Sequence, residues 1–198
     1  MTEANGRKAD HPIDPIFLKR FSPRAFTGEA IPQGELLTIF EAARWAPSAY
    51  NSQPWRLFYG CRDTAQWPLF LGLLNEPNQL WAKNAAAIVV LASKPNFLQP
   101  GTNNEMISKT PSYDTGAAWA NLALQSAMLG WVAHGIIGFD TARAATELKL
   151  PGDWRVEAGV VIGRLGDKSI LPEALAAREA PNSRRPLAET IFEGGYTG

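Results

Sequence analysis

No second cysteine accompanies Cys61 among the 198 residues. That excludes an intrachain disulfide and, with no CxxC pair, a zinc knuckle. Histidine is almost as scarce. His11 and His134 stand apart, without the neighbouring Cys or carboxylate pattern that a metal centre needs. Charge of one sign is absent too: nineteen acidic and nineteen basic side chains cancel, so no overall field recruits nucleic acid or an anionic membrane. No apolar run reaches the span of a bilayer, and the opening MTEANGRKADHP has no signal-peptide core. The chain contains neither GxGxxG nor GxxxxGKS/T, which argues against Rossmann and P-loop domains. Asp114, Glu147 and Glu157 show no pairing of the hydrolase kind, and no nucleophile stands with a base. A cytoplasmic protein with a small-molecule partner is the expectation.

What is there suits one domain, because 198 residues bury one sizeable core and are few for two. Residues 1–12 read as a disordered lead-in and 13–198 as the domain. A short helix is predicted over Ile13 to Lys19. A second starts at Pro32, carries Leu36, Leu37, Ile39, Phe40 and Ala43, and stops before Pro47. Trp55 to Tyr59 reads as a strand, Asp63 to Lys83 as two short helices, and the all-apolar Ala85 to Ala92 as a strand covered on both faces. Pro95, Pro100, Gly101 and Pro111 make residues 94–111 a flap. Tyr113 to Trp131, apolar on nearly every side, reads as a central buried helix. Val132 to Ile137 is a strand, Asp140 caps a helix to Leu148, Val156 to Ile162 is a further strand, and Pro172 to Arg178 a last helix. The tail from Pro181 has too few apolar residues for a domain and is read as wrapping a neighbouring subunit. With no regular βαβ period, the order predicts an α+β sandwich, a central sheet surrounded by helices.

Two places carry candidate chemistry. Arg20, Ser22 and Arg24 follow one another at every second residue, so on a short turn all three can face one anion. Arg184 and Arg185 offer a distant second pair. Guanidinium forks match phosphate oxygens bidentately, which makes a phosphorylated ligand the functional reading and a solvated polar turn the plain one. The loop from Pro47 to Trp55 sets Ser48, Asn51 and Gln53 beside aromatic rings. Amides match the mixed donor and acceptor edge of a flat heterocycle, though Asn51 and Gln53 equally well close their own turn. His134 reads as a packed or hydrogen-bonded histidine rather than a proton donor.

Through RFSPR, PSAYNSQPW, the alanine-rich DTGAAWANLALQSAMLG, GIIGFD and the terminal SRRPL, the chain resembles the nitroreductase family of FMN-dependent oxidoreductases from about residue 15 to 190. The resemblance implies a nitroreductase-like sandwich with a mostly antiparallel sheet, in a homodimer with FMN at the interface. It implies NADH or NADPH as donor, a nitroaromatic or quinone as acceptor, and ping-pong exchange. Arg20, Ser22 and Arg24 would then hold the FMN phosphate and pyrimidine edge, with Arg184 and Arg185 joining from the tail. Pro47, Ser48 and Asn51 would come from the other subunit with Gln53 bracing them, Asn78 would contact the ring, and Ile137 and Gly138 would lie against it. No catalytic side chain is required, since flavin N5 carries the chemistry. Two departures stand out: Ile137 replaces a glutamate that many relatives carry, and Asn182 replaces a lysine. An FMN-binding sensor or storage module with little turnover is the alternative function, and a flavin-free dimer a further one.

Overall fold

The computed structural model describes residues 2–196. Where the sequence reading placed a disordered lead-in, the chain forms a hairpin of β1 (Glu3–Ala4) and β2 (Arg7–Lys8). Asn5 and Gly6 turn it with φ of 56° and 70°, the left-handed pair that two-residue hairpin turns require. The Asn-Gly signal was visible but carries no hydrophobic flank. What anchors the hairpin is tertiary: Arg7 Nη1 donates to the carbonyls of Leu18 at 3.0 Å and Arg20 at 2.8 Å.

Helix α1 (Ile16–Lys19) follows, and α2 (Gln33–Arg44) starts directly after Pro32. Leu36, Ile39 and Ala43 recur at helical spacing and are the buried residues of α2. The central sheet has four strands, β3 (Trp55–Cys61), β4 (Ala87–Ser93), β7 (Val132–Ile136) and β8 (Arg155–Gly163), in the order β3-β4-β8-β7. Every pairing is antiparallel, as expected of the α+β class. All seven residues of β4 are buried, so the apolar run sorts by alternation alone. Val89 and Leu91 join Leu36, Ile39, Leu122, Trp131, Val160 and Ile162 in one core. Ile88 and Val90 join Phe26, Phe70, Leu73, Trp81 and Val161 in the other.

Helices α3 (Trp67–Gly72), α4 (Glu76–Ala82), α6 (Thr141–Glu147) and α7 (Glu173–Ala176) are short. The predicted flap is in part a hairpin, β5 (Asn96–Leu98) against β6 (Glu105–Ile107). Helix α5 (Pro111–Met128) stops three residues earlier than its apolar pattern suggests. Gly130 turns the chain at φ 76°, which delivers Trp131 into the core with none of its surface exposed. The expectation of an all-round buried α5 also fails within the protomer. Ala118, Leu122 and Ala123 face the core, while Tyr113 is 79% exposed and Met128 60%.

Candidate functional site

A cleft of about 430 Å³ opens where the chain leaves α1, lined by Phe17, Arg20, Ser22, Trp119, Ala123 and Gly135. Arg20 caps the C-terminus of α1 in extended geometry, with ψ 122°, which aims Arg20 and Ser22 to one side. Arg20 Nη1 donates to Ser22 Oγ at 3.3 Å. Among the described residues no carboxylate comes within ion-pair distance of Arg20. Burial, and then the charge of Arg184, hold its pKa below the ordinary guanidinium value. Two cations brought together without a counter-charge are the mark of a seat for an anion.

Arg24 behaves differently from its neighbours. Its Nη1 lies 3.6 Å from Glu179 Oε2, and the Glu179 side chain is only 4% exposed. Glu179 Oε1 also accepts the backbone N–H groups of Arg24 and, at 2.8 Å, Ala25. The structure thus commits Arg24 to a part-buried pair that closes the turn against the segment after α7. No feature of the sequence pointed to Glu179, 155 residues away. His134, on β7, supports the same turn. Its Nδ1–H donates to the Pro23 carbonyl at 2.9 Å and its ring packs 4.9 Å from Trp81. Burial, the largest influence, pushes the His134 pKa below the usual histidine value. It is a packed, hydrogen-bonded histidine, the reading favoured from the sequence.

Pro47, Ser48 and Asn51 do not line this cleft. They sit on an exposed loop braced at the start of α5, where Ala49 N–H donates to Asp114 Oδ2 at 3.2 Å. The loop holds Tyr50, Asn51 and Gln53 at φ of 54°, 53° and 46°, left-handed geometry that each non-glycine residue adopts at a cost of about 1–2 kcal/mol. Gln53 N–H donates to Ser48 Oγ at 3.0 Å and its Nε2 to the Asn51 carbonyl at 3.2 Å. Gln53 therefore braces the loop, while the Asn51 side chain has no partner in its own turn.

Asn78 and Gly138 meet as a pair. Asn78 Nδ2 donates to the Gly138 carbonyl at 2.9 Å, and its Oδ1 accepts Trp81 Nε1 at 3.3 Å. A Cβ on Gly138 would stand 2.7 Å from Asn78 Nδ2 and 2.8 Å from Asn75 Nδ2, so glycine is needed for the close approach. Asn78 fixes the bend after β7 through Gly138. Next to it Ile137 is 86% exposed, an apolar side chain held out from the fold. Arg184 and Arg185 line a separate, larger cavity of about 980 Å³ between the N-terminal hairpin and the tail.

The antiparallel sheet and the basic cleft at the end of α1 define an α+β protein with the room and the charge for a small anion. Comparison with known proteins narrows that class. Residues 18–66, which include RFSPR and the Pro47–Trp55 loop, match the model of the nitroreductase family. A solved oxidoreductase containing FMN is 49% identical, with each chain covered over its full length and a TM-score of 0.95. A nitroreductase from Desulfovibrio desulfuricans, solved in complex with FMN, is 25% identical with a TM-score of 0.69, covering 96% of this chain and 100% of its own. The NADH dehydrogenase of Thermus thermophilus is 29% identical over 88% of this chain and 92% of its own. The chain belongs to the nitroreductase family.

Proposed function

We infer that the protein is an FMN-dependent oxidoreductase that passes electrons from NADH or NADPH to a small acceptor such as a nitroaromatic or quinone. Donor and acceptor take turns at one open pocket, a ping-pong exchange. The observation that carries the reading is the cleft of about 430 Å³ lined by Arg20 and Ser22, adjoining the cavity of Arg184, with neither arginine in an ion pair among the described residues. The FMN named for two of the similar structures fits it.

The phosphate end matches Arg20 and Ser22, with Arg184 and Arg185 approaching from the tail. Arg24, neutralised by Glu179, holds the turn beside the pyrimidine edge and is not a free phosphate donor. The flat end needs an apolar platform and fixed amides, which Ile137, the Gly138 bend held by Asn78, and the Pro47, Ser48 and Asn51 loop supply. When bound, FMN provides reversible two-electron chemistry at its ring, so no side chain of this protein has to act as nucleophile. The protein binds the cofactor, orients it and limits the access of water.

The loop carrying Asn51 lies apart from the cleft of its own chain, and α5 shows Tyr113, Gly116 and Met128 to solvent. Both features favour a homodimer in which the loop of one subunit completes the site of the other. For the balanced charge of nineteen acidic and nineteen basic residues, the reading is a cytoplasmic protein with small-molecule partners rather than nucleic acid or membrane. An anaerobic visible spectrum of the FMN-loaded protein tests the function. Addition of NADH or NADPH should bleach the flavin band, and a quinone or nitroaromatic should restore it. A band that stays oxidised with both nucleotides would reject the reductase in favour of an FMN-binding module with little turnover.

A further inference from the structure

We propose that Arg7, on the N-terminal hairpin, is a third arginine of the phosphate seat, so that one phosphate staples the hairpin, the turn after α1 and the tail together. The proposal rests on the FMN reading above and adds a residue to it.

The geometry comes from three segments far apart in sequence. Arg7 Nη1 donates to the Leu18 and Arg20 carbonyls, which fixes its guanidinium against the backbone of Arg20. Its Nε is buried and has no partner. An unpaired buried donor on a permanent cation is costly unless a ligand satisfies it. Arg7 and Arg184 line the same cavity, and Phe17 lines both this cavity and the cleft of Arg20 and Ser22, so the two openings adjoin. Asp10, the acidic residue of that cavity, accepts the Leu187 N–H at 3.2 Å and forms no ion pair with Arg7. Burial first, then the charges of Arg184 and Arg20, lower the Arg7 pKa. Arg7, Arg20 and Arg184 therefore form no ion pair among the described residues. A phosphate dianion supplies the missing charge, and a small turn of the guanidinium brings the unpaired Nε to it.

A role confined to bracing the Arg20 carbonyl predicts something different, and comparing FMN with riboflavin separates the two. Both ligands share the ring, and only FMN carries phosphate. By flavin fluorescence titration, Arg7→Met should weaken FMN binding roughly tenfold or more while leaving riboflavin affinity unchanged. Arg7→Lys should recover part of the loss, because charge returns without the planar fork. Equal weakening of both flavins, or none of either, overturns the proposal. For a readout independent of any variant, hydrogen exchange on the wild-type protein should slow at the Arg7–Ala9 amides with FMN and not with riboflavin; no difference between the two also overturns it. Wild-type protein that binds neither flavin would instead overturn the FMN reading itself, and this inference with it.

Discussion

The sheet core and the basic rim of the cleft are built on opposite rules. Around β4 every residue is buried and apolar or small, and each side chain finds a partner through strand alternation. At the rim, Arg7, Arg20 and Arg184 form no ion pair among the described residues, three non-glycine residues of the Asn51 loop take left-handed backbone angles, and Ile137 stands 86% exposed. The core satisfies itself within the chain. The rim is left incomplete, and that incompleteness is what a ligand or a second subunit can satisfy.

If that division holds, core and rim substitutions should separate stability from binding. The largest effect belongs to the core. Leu122→Ala, at a position with no exposed surface, should lower unfolding free energy by about 2–5 kcal/mol in a urea titration, with FMN affinity of the folded fraction unchanged. Arg20→Ala should do the reverse, weakening FMN binding by about 1.5–3 kcal/mol in fluorescence titration. Its urea midpoint should not fall, because removing one of three crowded cations relieves repulsion. Loss of stability without loss of FMN would break the comparison.

Gly138→Ala probes the boundary between the two. The new Cβ would meet the Asn78 and Asn75 amides at 2.7 and 2.8 Å, which should cost about 1–3 kcal/mol of stability and weaken flavin binding as well. The smallest effect is a pH dependence. Burial lowers the folded-state pKa of His134, so the unfolded chain binds its proton first. Stability from this group is complete above the unfolded value of about 6.5 and declines as pH falls below it toward the folded pKa. His134→Gln should flatten that part of the thermal-midpoint profile between pH 7 and 5; an unchanged slope would assign it to other groups.

Much of this was legible before any coordinates. The apolar run Ala85 to Ala92, the strand at Val156 to Ile162 and helix α2 follow from period and breakers, because local alternation and proline geometry act over a few residues. RFSPR announced an anion seat for the same reason: two arginines and a serine at alternate positions of a turn can face one way. What stayed hidden depends on contacts across the chain. Nothing near Arg24 signals that Glu179 binds it, and nothing in MTEANGRK signals that Arg7 docks on Arg20. Helix α5 shows the limit of pattern from the other side. Its apolar pattern implied burial on every side, but among the described residues Tyr113 and Met128 stay exposed.

The sequence by itself determined the four strands of the central sheet, the principal helices, the family and the residue types of an anion site, since these depend on local periodicity and short motifs. Only the tertiary structure decided which arginines are free and which is neutralised. It also bound the N-terminal hairpin to the Arg20 turn and showed that Asn78 holds Gly138. Ion pairs and carbonyl contacts form between segments up to 155 residues apart, and no local pattern encodes which charge will meet which.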